Sequence, residues 1–206
     1  MDRNDLCFTT ARDLAALISA RQVSAKEVTE AILERIGSVE PKINSYITVC
    51  ADEAIAEAEA ADRAQVRGDA LGPLHGVPLG VKDLLNTKGV KTTFASHAFA
   101  KNIPDADCVS IARLRAAGAI LIGKTTTPEF GHMPMTEAPL FGKTCNPWNL
   151  ERTSGGSSGG AAAAAGFTVS TGNNTVLGFS LQGATIPAGA GVLVVLDVTG
   201  AGSACL

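Results

Sequence analysis

Apolar residues recur at helical spacing through the first third of the chain. Leu14, Leu17 and Ile18 share one face of a segment from Thr10 to Arg21, and Thr10 with Asp13 makes a capping-box-like start. Ser24-x-x-Glu27 repeats that start signal. Val28, Ala31, Ile32 and Ile36 then keep the period, and Pro41 is expected to close this second helix. A third helix is expected over Ala51 to Arg67, rich in alanine and glutamate, with Gly68 as its stop. The charges on all three read as solvated faces of an N-terminal helical layer.

From Pro73 the pattern shortens. Val77 to Val81 and Ala119 to Ile122 are short apolar runs, each the length of a buried strand, and Asp107 to Ala117 between them reads as a helix ended by Gly118. Strand, helix and strand with apolar residues on both faces predict parallel pairing through a right-handed crossover, and hence an α/β core. A second change follows Arg152, after which no charged residue occurs until Asp197. In that stretch Phe167 to Val169, Thr175 to Leu181 and Gly191 to Val198 are predicted strands separated by Gly-Asn-Asn and Pro-Ala-Gly turns. The division expected is therefore 1–165 as an α/β unit and 166–206 as an unrelated β-rich tail, joined by fusion, frameshift or assembly error.

Composition narrows the function classes. A chain of 206 residues, 46% apolar, can bury one sizeable core. A net charge of −3 and a pI near 5.6 carry no basic footprint for nucleic acid. Five cysteines, Cys7, Cys50, Cys108, Cys145 and Cys205, are odd in number and scattered, which fits reduced thiols in a cytoplasmic protein better than disulfides or a zinc site. Met1 to Thr10 has no apolar signal core, and no run is long enough to span a bilayer.

The chemistry concentrates in two places. Thr153-Ser154-Gly155-Gly156-Ser157-Ser158-Gly159-Gly160 runs into five alanines, which puts two serines and a close-approaching backbone at a helix start. A glycine-serine linker is the plainer alternative. Upstream, the strand ending at Val81 delivers Lys82. A lysine placed there loses solvation, its pKa falls, and the neutral amine can accept a proton from a serine hydroxyl. Pairing with Asp83 is the competing role for Lys82, as helix capping is for Ser158. Two short patterns mislead. Gly118 to Thr125 fits a phosphate-loop expression, but its interior is an apolar strand and Pro128 follows it closely. Gly155 to Gly159 fits a nucleophile elbow, but His75, His97 and His132 all precede the serine, whereas that fold requires a later histidine.

Three stretches, GVPLGVKDLLNTKGVKTTFAS, GAILIGKTTTPEFG and PLFGKTCNPWNLERTSGGSSGG, resemble in sequence and order the amidase signature family of Ser-Ser-Lys hydrolases. The resemblance covers roughly Leu6 to Ala165. It implies a partial amidase-signature core, with helices around a mixed, mainly parallel sheet. It also implies hydrolysis of a small-molecule amide through an acyl-serine, without metal or cofactor. Lys82 would be the catalytic lysine and Ser157 the bridging serine, across a cis peptide in the glycine-serine turn, with Ser158, Gly155 and Gly156 in support. Met133, Met135 and Thr136 would line an apolar substrate pocket. The family continues with a Gly-Thr-Asp-Thr-Gly-Gly-Ser-Ile-Arg type segment whose serine is the nucleophile. Here the corresponding stretch reads Gly178 to Pro187, and the nucleophile position falls on Leu181, next to Ser180. An inactive member is therefore expected, with an amidotransferase A-type subunit fragment or a non-catalytic remnant as alternatives. Uncovered strand faces are expected to promote self-association.

Overall fold

A computed structural model describes residues 2–166 and the backbone of strands 168–172 and 175–179. A short helix missed in the sequence, α1 (Arg3–Phe8), leads into α2 (Ala11–Ser19), where Thr10 Oγ1 accepts the Asp13 N–H at 3.1 Å. In α3 (Ala25–Ile43) the Ser24–Glu27 capping box is complete. Pro41 does not end α3, which runs two residues further. The missing proline N–H falls in the last turn, where one ladder bond is lost, and Asn44 in the left-handed conformation makes the stop. β1 (Tyr46–Val49) follows, then α4 (Ala51–Arg67), which Gly68 ends at φ +79°.

β2 (Pro78–Lys82), α5 (Val109–Ala116) and β3 (Ile120–Thr125) form the expected strand–helix–strand unit, each boundary within a few residues of the sequence pattern. β2 and β3 pair in parallel. β1, which the sequence did not reveal, pairs antiparallel on the other edge of β3, so the sheet has order β1-β3-β2 and is mixed. Ile120 and Ile122 pack with Ala25, Ile36, Ala54 and Ala58 of α3 and α4, while Val81 and Leu121 pack with Ile111 of α5 and Cys50. The helices thus cover a core as well as facing water.

One irregularity decides which side of the sheet each lysine faces. The β2–β3 register shifts between Leu79 and Gly80, so that β3 carries an extra residue. An extra residue inverts the side-chain alternation beyond it. Val81 is therefore level with Lys124, on the α5 side, and Lys82 is level with Thr125, on the opposite side.

Past β3, two small hairpins, β4 (Glu137–Ala138) with β5 (Gly142–Lys143) and β6 (Cys145–Asn146) with β7 (Asn149–Thr153), lead to α6 (Gly159–Ala164). β8 (Thr168–Gly172) and β9 (Thr175–Phe179) form a separate antiparallel hairpin and do not extend the three-stranded sheet. The strand expected over 191–198 lies outside the described residues. Among the described residues no helix is long and apolar enough to cross a membrane.

Candidate active site

The site forms where β2 ends and α6 begins. Lys82, the last residue of β2, projects towards the glycine-serine turn. Its Nζ lies 2.7 Å from Ser157 Oγ and 3.0 Å from Ser158 Oγ. All three residues are half-buried. The Gly156–Ser157 peptide is cis. Ser158 occupies the N-cap position of α6, but its side chain makes no capping bond and meets Lys82 instead.

Lys82 has no carboxylate partner within ion-pair distance among the described residues, and burial alone lowers its pKa to about 8. The neighbour able to neutralise it, Asp83, is turned away. Asp83 is fully buried. Its Oδ2 accepts the backbone N–H of Thr93 at 3.0 Å and the Thr93 hydroxyl, and its Oδ1 stands 3.9 Å from Lys124 Nζ. Pairing with Lys82 is excluded by that geometry.

Lys124 is the larger surprise. It is fully buried, and its ammonium donates to Leu85 O and to the hydroxyls of Thr87 and Thr92, the latter two at 2.9 Å each. The Thr87 and Thr92 hydroxyls spend their own protons on Leu85 O and Val90 O, so each can only accept from Lys124. Three acceptors require three N–H donors, which a neutral amine lacks. Lys124 is held as the ammonium beside Asp83, even though burial lowers its pKa to about 8 and raises that of Asp83. The segment that resembled a phosphate loop is a buried strand whose lysine is already saturated.

The glycine-serine turn is seated in a cradle of threonines. Thr127 Oγ1 donates to Ser157 O at 3.1 Å, Thr136 Oγ1 accepts the Gly159 N–H at 3.1 Å, and Gly160 N donates to Thr126 O at 3.2 Å. Thr144 and Thr126 share a hydroxyl–hydroxyl bond of 2.7 Å, and Thr144 Oγ1 donates to the carbonyl of Asn44 at the end of α3. Close approach dictates the glycines here. A Cβ on Gly156 would stand 2.9 Å from backbone atoms of Met135, and one on Gly160 would press on Thr126 N and lie 2.6 Å from Ser45 O.

Of the residues the sequence nominated, Lys82, Ser157, Ser158, Gly155 and Gly156 come together. Thr136 is fully buried and supports the turn through Gly159; Met133 and Met135 are each 40% exposed at its rim. His75 Nε2 lies 3.1 Å from the carbonyl of Ala61 in α4, away from the site. A cavity of about 570 Å³ lies further along the 86–108 loop, between Phe94, Phe99, Asn102 and Ile103, and neither Lys82 nor the serines line it.

The amidase family model matches residues 27–175, most of the chain. The chain belongs to the amidase family. It is 48% identical to the A subunit of the glutamyl-tRNA(Gln) amidotransferase of Geotalea daltonii over 74% of its own length and 31% of that protein's, and 44% identical to the Moorella thermoacetica counterpart over the same shares. The chain therefore spans about a third of the curated relatives it matches. Among solved structures, it superposes on a fatty acid amide hydrolase with a TM-score of 0.75 at 29% identity, covering 81% of this chain and 30% of the other. On the peptide amidase of Stenotrophomonas maltophilia the TM-score is 0.70, at 34% identity, over 76% and 33%. These amidase-family relatives share the helices and mixed sheet that hold Lys82 against the serines.

Proposed function

We propose that this chain carries the proton-transfer half of a site that hydrolyses small-molecule carboxylic amides. The observation that supports it is a lysine amine that, among the described residues, has no carboxylate partner and is bonded to two serine hydroxyls. Lys82 acts as general base on Ser157, and Ser157 relays the proton from an attacking hydroxyl; the same path returns that proton to the amine nitrogen as the C–N bond breaks, and water, deprotonated along the same path, then releases the acyl group as the acid. Proton transfer between an amine and hydroxyls calls for no metal or cofactor. Ser158, Gly155, Gly156 and the fully buried Thr136 support the turn, and the exposed Met133 belongs to the wall on the substrate side.

The attacking hydroxyl is the missing element. Leu181 stands at the family's nucleophile position, and neither it nor Ser180 lies among the described residues. Turnover by this chain is therefore poor, since covalent catalysis and a glycine-rich oxyanion hole are each worth orders of magnitude in rate. We assign residues 1–165 to the amidase unit and 166–206 to a β-rich tail. We place the chain in the cytoplasm, in keeping with its free Cys7, Cys50, Cys108 and Cys145, and expect self-association through uncovered strand faces. A second reading, part of an amidotransferase A-type subunit, is favoured by the identity of 44–48% to such subunits.

Two assays test this. A fluorophosphonate probe should leave the chain unlabelled, whereas a slow hydrolysis of an activated aryl ester should fall to background in both Lys82→Met and Ser157→Ala. Robust amide turnover abolished by Ser180→Ala would overturn the inactivity, and ester hydrolysis unchanged in Lys82→Met would overturn the base role.

A further inference from the structure

The buried Lys124 has no part in the Lys82–Ser157 proton path, yet everything it binds lies within one short segment. Leu85 O, Thr87 Oγ1 and Thr92 Oγ1 take its three protons, and Asp83 supplies the opposing charge. All four lie within the ten residues that follow Lys82. Asp83 is tied again to the loop through Thr93, its N–H donates to Thr125 O, and the Leu85 N–H donates back to Lys82 O at 3.0 Å. One ammonium on β3 therefore gathers the first turn of the loop that leaves Lys82 and holds Asp83 on the α5 side of the sheet.

We infer that Lys124 is a positioning residue for the Lys82 amine, holding the end of β2 in place and keeping the Asp83 carboxylate away from it. The inference rests on the proposed role of Lys82 as the base. Two lysines in one sheet are thus given opposite tasks by their partners. Lys124 has three acceptors and a carboxylate, a set that fixes an ammonium. Lys82 has two hydroxyls and no carboxylate, a set that also suits a neutral amine. The register shift in β3 makes the separation possible, because without it Lys124 would share the side of Lys82.

Removing Lys124 leaves Asp83 as a buried charge without its cation, next in sequence to the nearest other lysine. Either Asp83 turns towards Lys82, or the loop loosens and water enters behind it. Both changes favour the ammonium form of Lys82, so its pKa rises. The other ionisable groups facing Lys124 are Cys50, at the start of α4, Cys108, at the start of α5, and Asp107. None of these follows Lys82 directly, and the acid nearest to it in the chain is Asp83.

The test follows each lysine of the intact chain by competitive acetylation with acetic anhydride between pH 6 and 11, read by peptide mass spectrometry. The parent chain should show Lys82 titrating near 8. In Lys124→Met the midpoint should move up by about one unit or more, a roughly tenfold fall in free amine at pH 7. Should Lys124→Met fail to fold, Thr87→Val and Thr92→Val each remove one acceptor and should move the midpoint the same way by less. Lys124→Arg should not rescue, because a planar guanidinium does not fit three acceptors arranged around a single nitrogen. Folded variants that lose thermal stability but keep the Lys82 midpoint of the parent would show that Lys124 is merely structural and overturn the inference. A parent chain with Lys82 already near the ordinary lysine value would instead overturn the base role itself.

Discussion

Lys82 and Asp83 are adjacent in sequence but serve opposite sides of the sheet. Lys82 Nζ sits 2.7 Å from Ser157 Oγ, and Asp83 Oδ1 sits 3.9 Å from Lys124 Nζ. Strand alternation separates them. The separation spares Lys82 an ion pair, and so leaves burial free to lower its pKa.

Asp83→Asn should be strongly destabilising. It strips a fully buried ammonium of the carboxylate at ion-pair distance, and breaking such a pair from one side costs about 3–5 kcal/mol. The amide retains an oxygen for the Thr93 bonds, so a loss towards the lower figure is expected in urea unfolding. A loss below about 0.5 kcal/mol, the scale of an ordinary surface substitution, would show that the pair is not buried as described.

Lys82 also sets a pH dependence of stability. Its folded pKa of about 8 is below the ~10.4 of the unfolded chain, so between those values the unfolded state binds more protons and stability rises with pH. Below pH 8 the cost of holding the ammonium half-buried is present in full. Lys82→Met lacks this contribution, while Lys124 is common to both chains and cancels. The stability gap between the two should close by on the order of 1–2 kcal/mol from pH 8 to 10, after allowing for solvent screening. A gap independent of pH, measured by denaturant unfolding, would contradict it.

Thr136→Val distinguishes a scaffold from a substrate contact. Valine keeps the volume but leaves the buried Gly159 N–H without its acceptor, a loss of about 1–3 kcal/mol. A residue that only touched substrate would leave the melting temperature of the free chain unchanged.

Gly160→Ala should be worse than its size suggests. The added methyl meets the backbone of Thr126 and Ser45, neither of which can swing aside as a side chain would. A loss of about 1–3 kcal/mol is expected, together with displacement of α6 from Lys82. A melting curve matching that of the parent would show the turn to be loosely seated.

Helices α2 to α5 and the two parallel strands were legible because local signals fix them. Thr10 with Asp13, Ser24 with Glu27, and Gly68 mark helix ends, and apolar runs mark β2 and β3. β1 was not legible, since Tyr46–Val49 becomes a strand only by pairing with a segment far along the chain. The extent of α3 was misjudged because Pro41 falls where its missing N–H costs little. At the site, Lys82 and Ser157 were readable from their motifs. Lys124 was not, because nothing local says that Thr87 and Thr92 will fold back onto it. A lysine at the end of an apolar run, followed directly by Thr125, Thr126 and Thr127 and preceded by a loop holding Thr87, Thr92 and Thr93, was the available signal.

The most direct test of the site is the ionisation of Lys82 itself, followed by ¹⁵N NMR of the lysine side-chain amines in the intact chain. A midpoint near 8 that shifts in Ser157→Ala is the predicted result. A midpoint at the ordinary lysine value of ~10.4, unmoved by Ser157→Ala, would contradict the base-and-relay assignment.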